Sequence, residues 1–181
     1  MVAARERIGE MLAAAHAIAE ELPRAGARSD ECGPDNLAWM CRTAREGLDT
    51  YPVDKLSRWL GFVHAGLEAA GANLPPARPL PGPAAEGPLL EAHHILFGRY
   101  AAIAGTAGLP PDAGRAGVAE TSALPAAELS YRLGRIQGIL ACRGLVSVRE
   151  EREVSRPLFH AAYRRDGVIP PTLEGPGSAR P

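Results

Sequence analysis

The sequence has no excess of positive charge and no long apolar run, and these two absences remove two classes of function. Lysine and arginine number 20 and aspartate and glutamate 21, for a formal net charge of −1. A general nucleic-acid binder usually carries a basic excess, so we do not expect this activity. No segment offers the roughly 18 apolar residues that a membrane-spanning helix needs, so we expect no membrane contact.

Aromatic residues and paired cysteines are also scarce. Aromatics make up 5% of the chain, so Trp39 and Trp59 are predicted to be mostly buried anchors of a thin core. The three cysteines contain no Cys-x-x-Cys or Cys/His metal spacing, which indicates reduced thiols. The N-terminal stretch MVAARERIGEMLAAAHAIAEEL lacks the apolar run and cleavage site of a signal peptide. The sequence therefore predicts a cytoplasmic protein.

The chain has none of the common catalytic or cofactor motifs. Gly-x-Ser-x-Gly, a Walker loop, a dinucleotide fingerprint and His-Glu-x-x-His are all missing. His93 and His94 are adjacent and point in different directions on a helix, which is a poor arrangement for holding one metal ion. The sequence accordingly predicts no catalytic residue, no metal ligand and no cofactor, and favours a protein that is not an enzyme.

Apolar periodicity predicts an all-α fold, a bundle of about six to seven helices. The predicted helices cover residues 3–22, 35–48, 53–70, 88–104 and 125–143, then a sixth from residue 147 and a last one over 158–165. Pro157 is expected to break or kink the chain between the last two, because proline lacks an N–H. We expect one domain over 1–166, a Pro-rich linker at 72–87 and a disordered tail at 167–181.

One helix is repeated within the chain. LSRWLGFVHAGLEAAG (56–71) aligns without gaps on LSYRLGRIQGILACRG (129–144), and each follows another helix. This predicts a duplicated helical hairpin, with copies over about 35–71 and 88–144, although two amphipathic helices can also resemble each other by chance. A glycine inside a helix costs about 1 kcal/mol relative to alanine, so the matched glycines indicate close packing. The two helices are predicted to cross along Ser57, Gly61, Ser130 and Gly134.

Basic side chains recur on two predicted helices. Lys55 and Arg58 lie three residues apart and share a face, while Arg152, Arg156 and His160 are spaced by four. Guanidinium forks suit a phosphate or carboxylate, and a histidine titrates near neutral pH. These five residues are the predicted ligand-binding site. The alternative is a solvated face whose charges are neutralised by nearby carboxylates, namely Asp54, Glu150 and Glu153.

Two pairs of carboxylates suggest a different function. Glu46 with Asp49, and Glu150 with Glu153, each place two acids on one helix face. All-α nucleoside-triphosphate pyrophosphohydrolases bind magnesium with pairs of this kind. The alternative hypothesis is therefore a magnesium-dependent nucleotide hydrolase, which requires the four carboxylates to meet in space.

Two segments carry a resemblance to known proteins. YPVDKLSRWLGFVHAGL (51–67) and EEREVSRPLFHAAYRRDG (150–167) resemble segments of small helical proteins encoded by bacteriophages and prophages. The resemblance covers about a third of the chain and implies a phage accessory role without any assigned chemistry. The leading hypothesis is a non-enzymatic accessory protein that binds a partner protein or a small anionic ligand. The sequence leaves homo-oligomerisation open.

Overall fold

A computed structural model describes residues 2–23, 30–109, 123–165 and 167 of the chain. Within these residues the chain forms six α-helices, one short 3-10 helix at Asp30–Cys32 and no β-strand. The helices are α1 (Val2–Glu21), α2 (Pro34–Glu46), α3 (Val53–Ala69), α4 (Gly87–Thr106), α5 (Ala126–Cys142) and α6 (Val148–Arg165). The predicted all-α bundle is confirmed. The predicted tail, apart from Gly167, lies outside the described residues.

A proline precedes and a glycine follows each of the two central helices, α3 and α5. Pro52 and Pro125 occupy the residue before α3 and α5, each with extended backbone angles. Gly71 and Gly144 follow the two helices with φ of 86° and 70°, a conformation that a residue with a Cβ rarely adopts. Local sequence therefore sets both ends of both helices.

The core consists of two apolar clusters that meet at α3 and α5. One cluster joins α1, α2 and α3 and includes Ile8, Leu12 and Leu60. The other joins α4, α5 and α6 and includes Phe97 and Leu133. α3 contacts α1 and α2, and α5 contacts α4, so the direct packing of α3 on α5 holds the two halves together.

The crossing of α3 and α5 depends on glycine, as the sequence predicts. A Cβ added to Gly61 would overlap the carbonyl oxygen of Tyr131, and one added to Gly134 would overlap that of Arg58. Arg58 and Tyr131 are equivalent positions of the aligned segments, so the contact is reciprocal. Gly138 adds a third close approach, where a Cβ would lie 2.7 Å from Ala65 Cβ. Reciprocal contact is what a two-fold relation would give, and the duplication itself stays a prediction.

The predicted break at Pro157 is wrong. The structure has one continuous helix, α6, with Pro157 in its interior. Pro157 and Glu153, whose carbonyl loses its helical partner, both lie on the exposed side of the helix. Water can therefore satisfy that carbonyl, and the proline is tolerated. The helix begins as predicted, since the Ser147 hydroxyl accepts from the Glu150 N–H at 3.4 Å.

The Pro-rich linker is held against the fold. Leu80 is buried, and its N–H donates to the Glu128 carboxylate at 3.0 Å. The Ala126 N–H, at the start of α5, donates to the Pro83 carbonyl at 2.8 Å. The linker thus supplies hydrogen-bond partners to the first turn of α5.

Candidate functional site

Four of the five predicted site residues form one surface, which we call the basic surface: Lys55 on α3, and Arg152, Arg156 and His160 on α6. All four side chains are partly buried. Burial, followed by the neighbouring Arg58, lowers the pKa of Lys55 to about 8. Asp54 opposes this effect, while Arg152 and Arg156 reinforce it. The charges of Arg152 and Arg156 therefore reach Lys55 across the contact between α3 and α6.

His160 is the outer member of the basic surface. Burial and the charges of Arg156, Arg164 and Lys55 lower its pKa below the ordinary value. The imidazole is consequently neutral at pH 7 and offers a hydrogen bond rather than a charge. Because α6 continues through Pro157, the residues at 152, 156 and 160 share one face.

Arg58, the fifth predicted residue, belongs to the protein interior. Its guanidinium lies 3.7 Å from the centroid of Phe159 and pairs with Asp54 at 3.6 Å. The Tyr163 hydroxyl donates to the same Asp54 carboxylate. Only 16% of the Arg58 side chain is exposed. We therefore interpret Arg58 as a link between α3 and α6 that supports the basic surface from beneath.

Two described carboxylates near the basic surface, Asp54 and Glu153, pair with arginines. Asp54 is engaged by Arg58 and Tyr163. Glu153 lies 4.0 Å from Arg156, but its side chain is 71% exposed, and such pairs contribute little. Arg156 lies in the interior of α6, which begins at Val148, and so it is not near the helix N-terminus. The Val148 N–H there donates to the Glu31 carboxylate at 3.0 Å.

Three partly buried aromatic rings adjoin the basic surface, and we call them the aromatic cluster: Tyr51, Trp59 and Trp39. The Trp39 and Trp59 centroids are 6.0 Å apart, and those of Tyr51 and Trp59 are 6.5 Å apart. Lys55 Nζ lies 4.4 Å from the Tyr51 centroid and 5.6 Å from that of Trp59. Both tryptophans pack against the core, as predicted, yet keep part of their surface in solvent. Sequence reasoning missed their adjacency to Lys55.

A buried serine–histidine pair joins α4 to α5. His93 Nδ1 donates to the Leu89 carbonyl at 2.7 Å, so Nε2 is free to accept from the Ser130 hydroxyl, also at 2.7 Å. This connectivity resembles that of an activated serine nucleophile. Both residues have 0% exposure, however, so no substrate reaches the hydroxyl. The geometry therefore indicates a structural hydrogen bond between α4 and α5.

A second buried histidine lies between α3 and α5. His64 Nδ1 is 2.9 Å from the Tyr131 hydroxyl. Burial, reinforced by the charge of Arg135 and opposed by Glu68, lowers the pKa of His64 to about 4. Burial is also the main reason that the pKa of His93 falls to about 4. Both residues are therefore neutral at pH 7.

These two histidines should make the protein acid-sensitive. Their folded pKa lies below the ordinary value near 6.5, so protonation favours the unfolded chain as the pH falls from about 6.5 to 4. Each histidine then removes up to roughly 3 kcal/mol of stability. We expect the double variant His64→Gln with His93→Gln to lose less stability between pH 7 and 5 than the wild type. Urea unfolding at both pH values measures this, and equal losses would contradict the assignment.

The carboxylate pairs of the hydrolase hypothesis do not form a metal site. Glu46, the last residue of α2, and Asp49 after it are exposed, and Glu150 and Glu153 lie on the exposed side of α6. Among the described residues, no group of three or more His, Cys, Asp or Glu side chains is placed to hold a metal ion. The magnesium-dependent alternative thus has no geometric support.

Two cysteines that are distant in sequence meet in the fold. A hydrogen bond with Cys32, together with burial, raises the pKa of the Cys142 thiol. Burial alone accounts for most of the rise in the pKa of Cys41 to about 12. The Cys41 and Cys142 thiols therefore stay protonated at neutral pH and are poor nucleophiles.

The chain was compared with protein-family models, curated proteins and solved structures, and none of the three comparisons gave a match. Within the part of the chain that the structure describes, no helix is long and apolar enough to cross a membrane.

Proposed function

We propose that this chain is a non-enzymatic accessory protein, of the kind encoded by phages, that binds a small phosphate-bearing ligand at the basic surface. The observation that carries the proposal is the contact between α3 and α6, in which the Arg58 guanidinium lies 3.7 Å from the centroid of the Phe159 ring and the Tyr163 hydroxyl donates to Asp54. This contact brings Lys55 near the face of α6 that carries Arg152 and Arg156. Cations held this close together repel one another, and a bound anion would relieve the repulsion.

The chemistry of the surface suits a phosphate. Guanidinium groups present parallel N–H donors that match phosphate oxygens, and the Lys55 ammonium adds a compact charge. Lys55 also lies in the first turn of α3, where backbone N–H groups and the positive end of the helix dipole favour an anion. Arg58 and Asp54 hold α3 against α6, which fixes the spacing of the cations before the ligand arrives.

Replacing the two arginines of the basic surface tests the proposal. We expect the double variant Arg152→Gln with Arg156→Gln to bind pyrophosphate at least tenfold more weakly than the wild type, because it loses two charge-assisted contacts. Arg149→Gln is the matched control, since Arg149 is an exposed arginine on the same helix. Isothermal calorimetry at two salt concentrations measures both, and wild-type binding should weaken with salt.

The same titration at higher pH distinguishes the contribution of Lys55 to binding from that of the arginines. The Lys55 pKa of about 8 means that the wild type loses this charge between pH 7 and 9. We therefore expect the affinity of the wild type for pyrophosphate to fall over this pH range by up to about tenfold more than the affinity of Lys55→Gln. Absence of any pyrophosphate binding by the wild type, or equal binding by the double arginine variant, would refute the proposal. The proposal retains the cytoplasmic location expected from the sequence.

A further inference from the structure

The aromatic cluster and the basic surface share one residue. Lys55 lies over the rings of Tyr51 and Trp59, and its charge also interacts with those of Arg152 and Arg156. Lys55 and Trp59 are four residues apart on α3 and therefore lie on one side of the helix. A ligand that contacts Lys55 is thus within reach of both flat rings and guanidinium groups.

The rings of the aromatic cluster can contact a part of the ligand that extends beyond its phosphate. Tyr51, Trp59 and Trp39 are each partly exposed, and they stand next to one another on the surface. Both tryptophans pack against buried residues of the core, which restricts their movement. Rigid, partly exposed aromatic rings beside cations are a typical platform for stacking a base near its phosphates.

We infer that the ligand of this surface is a nucleotide, with its phosphates on Lys55, Arg152 and Arg156 and its base against the aromatic cluster. This inference rests on the proposed function and extends it from phosphate to a specific ligand class. A free phosphate would leave the aromatic cluster unused, and an apolar ligand would leave the cations unused.

A mononucleotide fits better than a nucleic-acid strand. The chain has a formal net charge of −1, and the cations of this surface come from one turn of α3 and two turns of α6. A strand needs a positive groove that follows several phosphates, whereas two phosphates need only a local cluster.

The two tryptophans of the chain both lie in the aromatic cluster, so intrinsic fluorescence reports directly on it. The probes are ADP, pyrophosphate, adenosine and a ten-nucleotide single strand of thymidylate, each titrated in buffer with a chelator. We expect ADP to bind about tenfold or more tightly than pyrophosphate and to quench tryptophan fluorescence. Trp39→Leu, which leaves the two rings beneath Lys55 in place, should reduce ADP binding towards that of pyrophosphate while leaving pyrophosphate binding unchanged. Trp59→Leu should reduce ADP binding by a larger factor than pyrophosphate binding.

Each outcome of this experiment has a distinct meaning. Equal binding of ADP and pyrophosphate, without quenching, would overturn the nucleotide inference and leave the phosphate proposal standing. Absence of binding by both would overturn the proposed function and the inference together. Tighter binding of the thymidylate strand than of ADP would also overturn the inference, in favour of single-stranded nucleic acid. If a tryptophan variant fails to fold, the comparison of ADP binding with pyrophosphate binding by the wild type still tests the nucleotide inference.

Discussion

Gly61→Ala is expected to destabilise the protein by about 3 kcal/mol, the upper end of the usual overpacking range. The added Cβ would overlap the backbone carbonyl of Tyr131 and lie 2.9 Å from the backbone N of Arg135. Backbone atoms of a packed helix cannot move aside as a flexible side chain can, so α3 and α5 must separate. Gly134→Ala should have a similar effect, because its Cβ meets the Arg58 carbonyl in the same way.

The chain supplies a matched control for this prediction. Gly98 and Gly105 are exposed glycines inside α4, and a Cβ on either meets nothing within 4 Å. Their replacement by alanine should stabilise the protein by up to about 1 kcal/mol, because alanine favours a helix. Urea unfolding of all four variants measures the contrast. Four similar midpoints would show that α3 and α5 do not approach as closely as described.

Asp54→Ala is expected to destabilise the protein by about 3–5 kcal/mol, as breaking a buried ion pair usually does. Asp54 is 7% exposed, and its carboxylate accepts from Tyr163 and pairs with Arg58. Without Asp54, the Arg58 guanidinium still contacts the Phe159 ring but has lost this anionic partner. Tyr163→Phe should cost about 1–3 kcal/mol, because one buried hydrogen bond is lost and the ring still packs.

Asp49→Ala provides the control for the ion pair, since it removes an exposed carboxylate and should change stability by less than about 0.5 kcal/mol. Adding Arg58→Met to Asp54→Ala should recover part of the loss, because the buried charge then disappears as well. Thermal and urea unfolding measure the series. A double variant that is less stable than Asp54→Ala alone would show that Arg58 acts independently of Asp54.

Much of the helical framework could be predicted from the sequence because its signals are local. Apolar periodicity, Pro52 and Pro125 before the helices, and Gly71 and Gly144 after them give the predicted bounds of α3 and α5 to within one residue. The matched interior glycines also predicted the crossing. Pro157 was misread because its effect depends on which side of α6 faces solvent, and this is a tertiary property.

The site was harder to predict because its members come from different helices. Spacing placed Arg152, Arg156 and His160 on one face of a helix, and their role in binding a ligand stays a prediction. The interior role of Arg58 could not be predicted, since Asp54, Phe159 and Tyr163 reach it only through the packing of α6 on the rest of the fold. The bond between His93 and Ser130 likewise joins helices that are distant in sequence.

Backbone amide NMR of the 19.1 kDa chain during a pyrophosphate titration can show which residues surround the bound anion. We expect concentration-dependent shifts in the first turns of α3, over 53–58, and along α6, over 149–160. Amides of α1 should stay unchanged. Shifts confined to other helices, or no shifts at millimolar pyrophosphate, would contradict the claim that the basic surface binds phosphate.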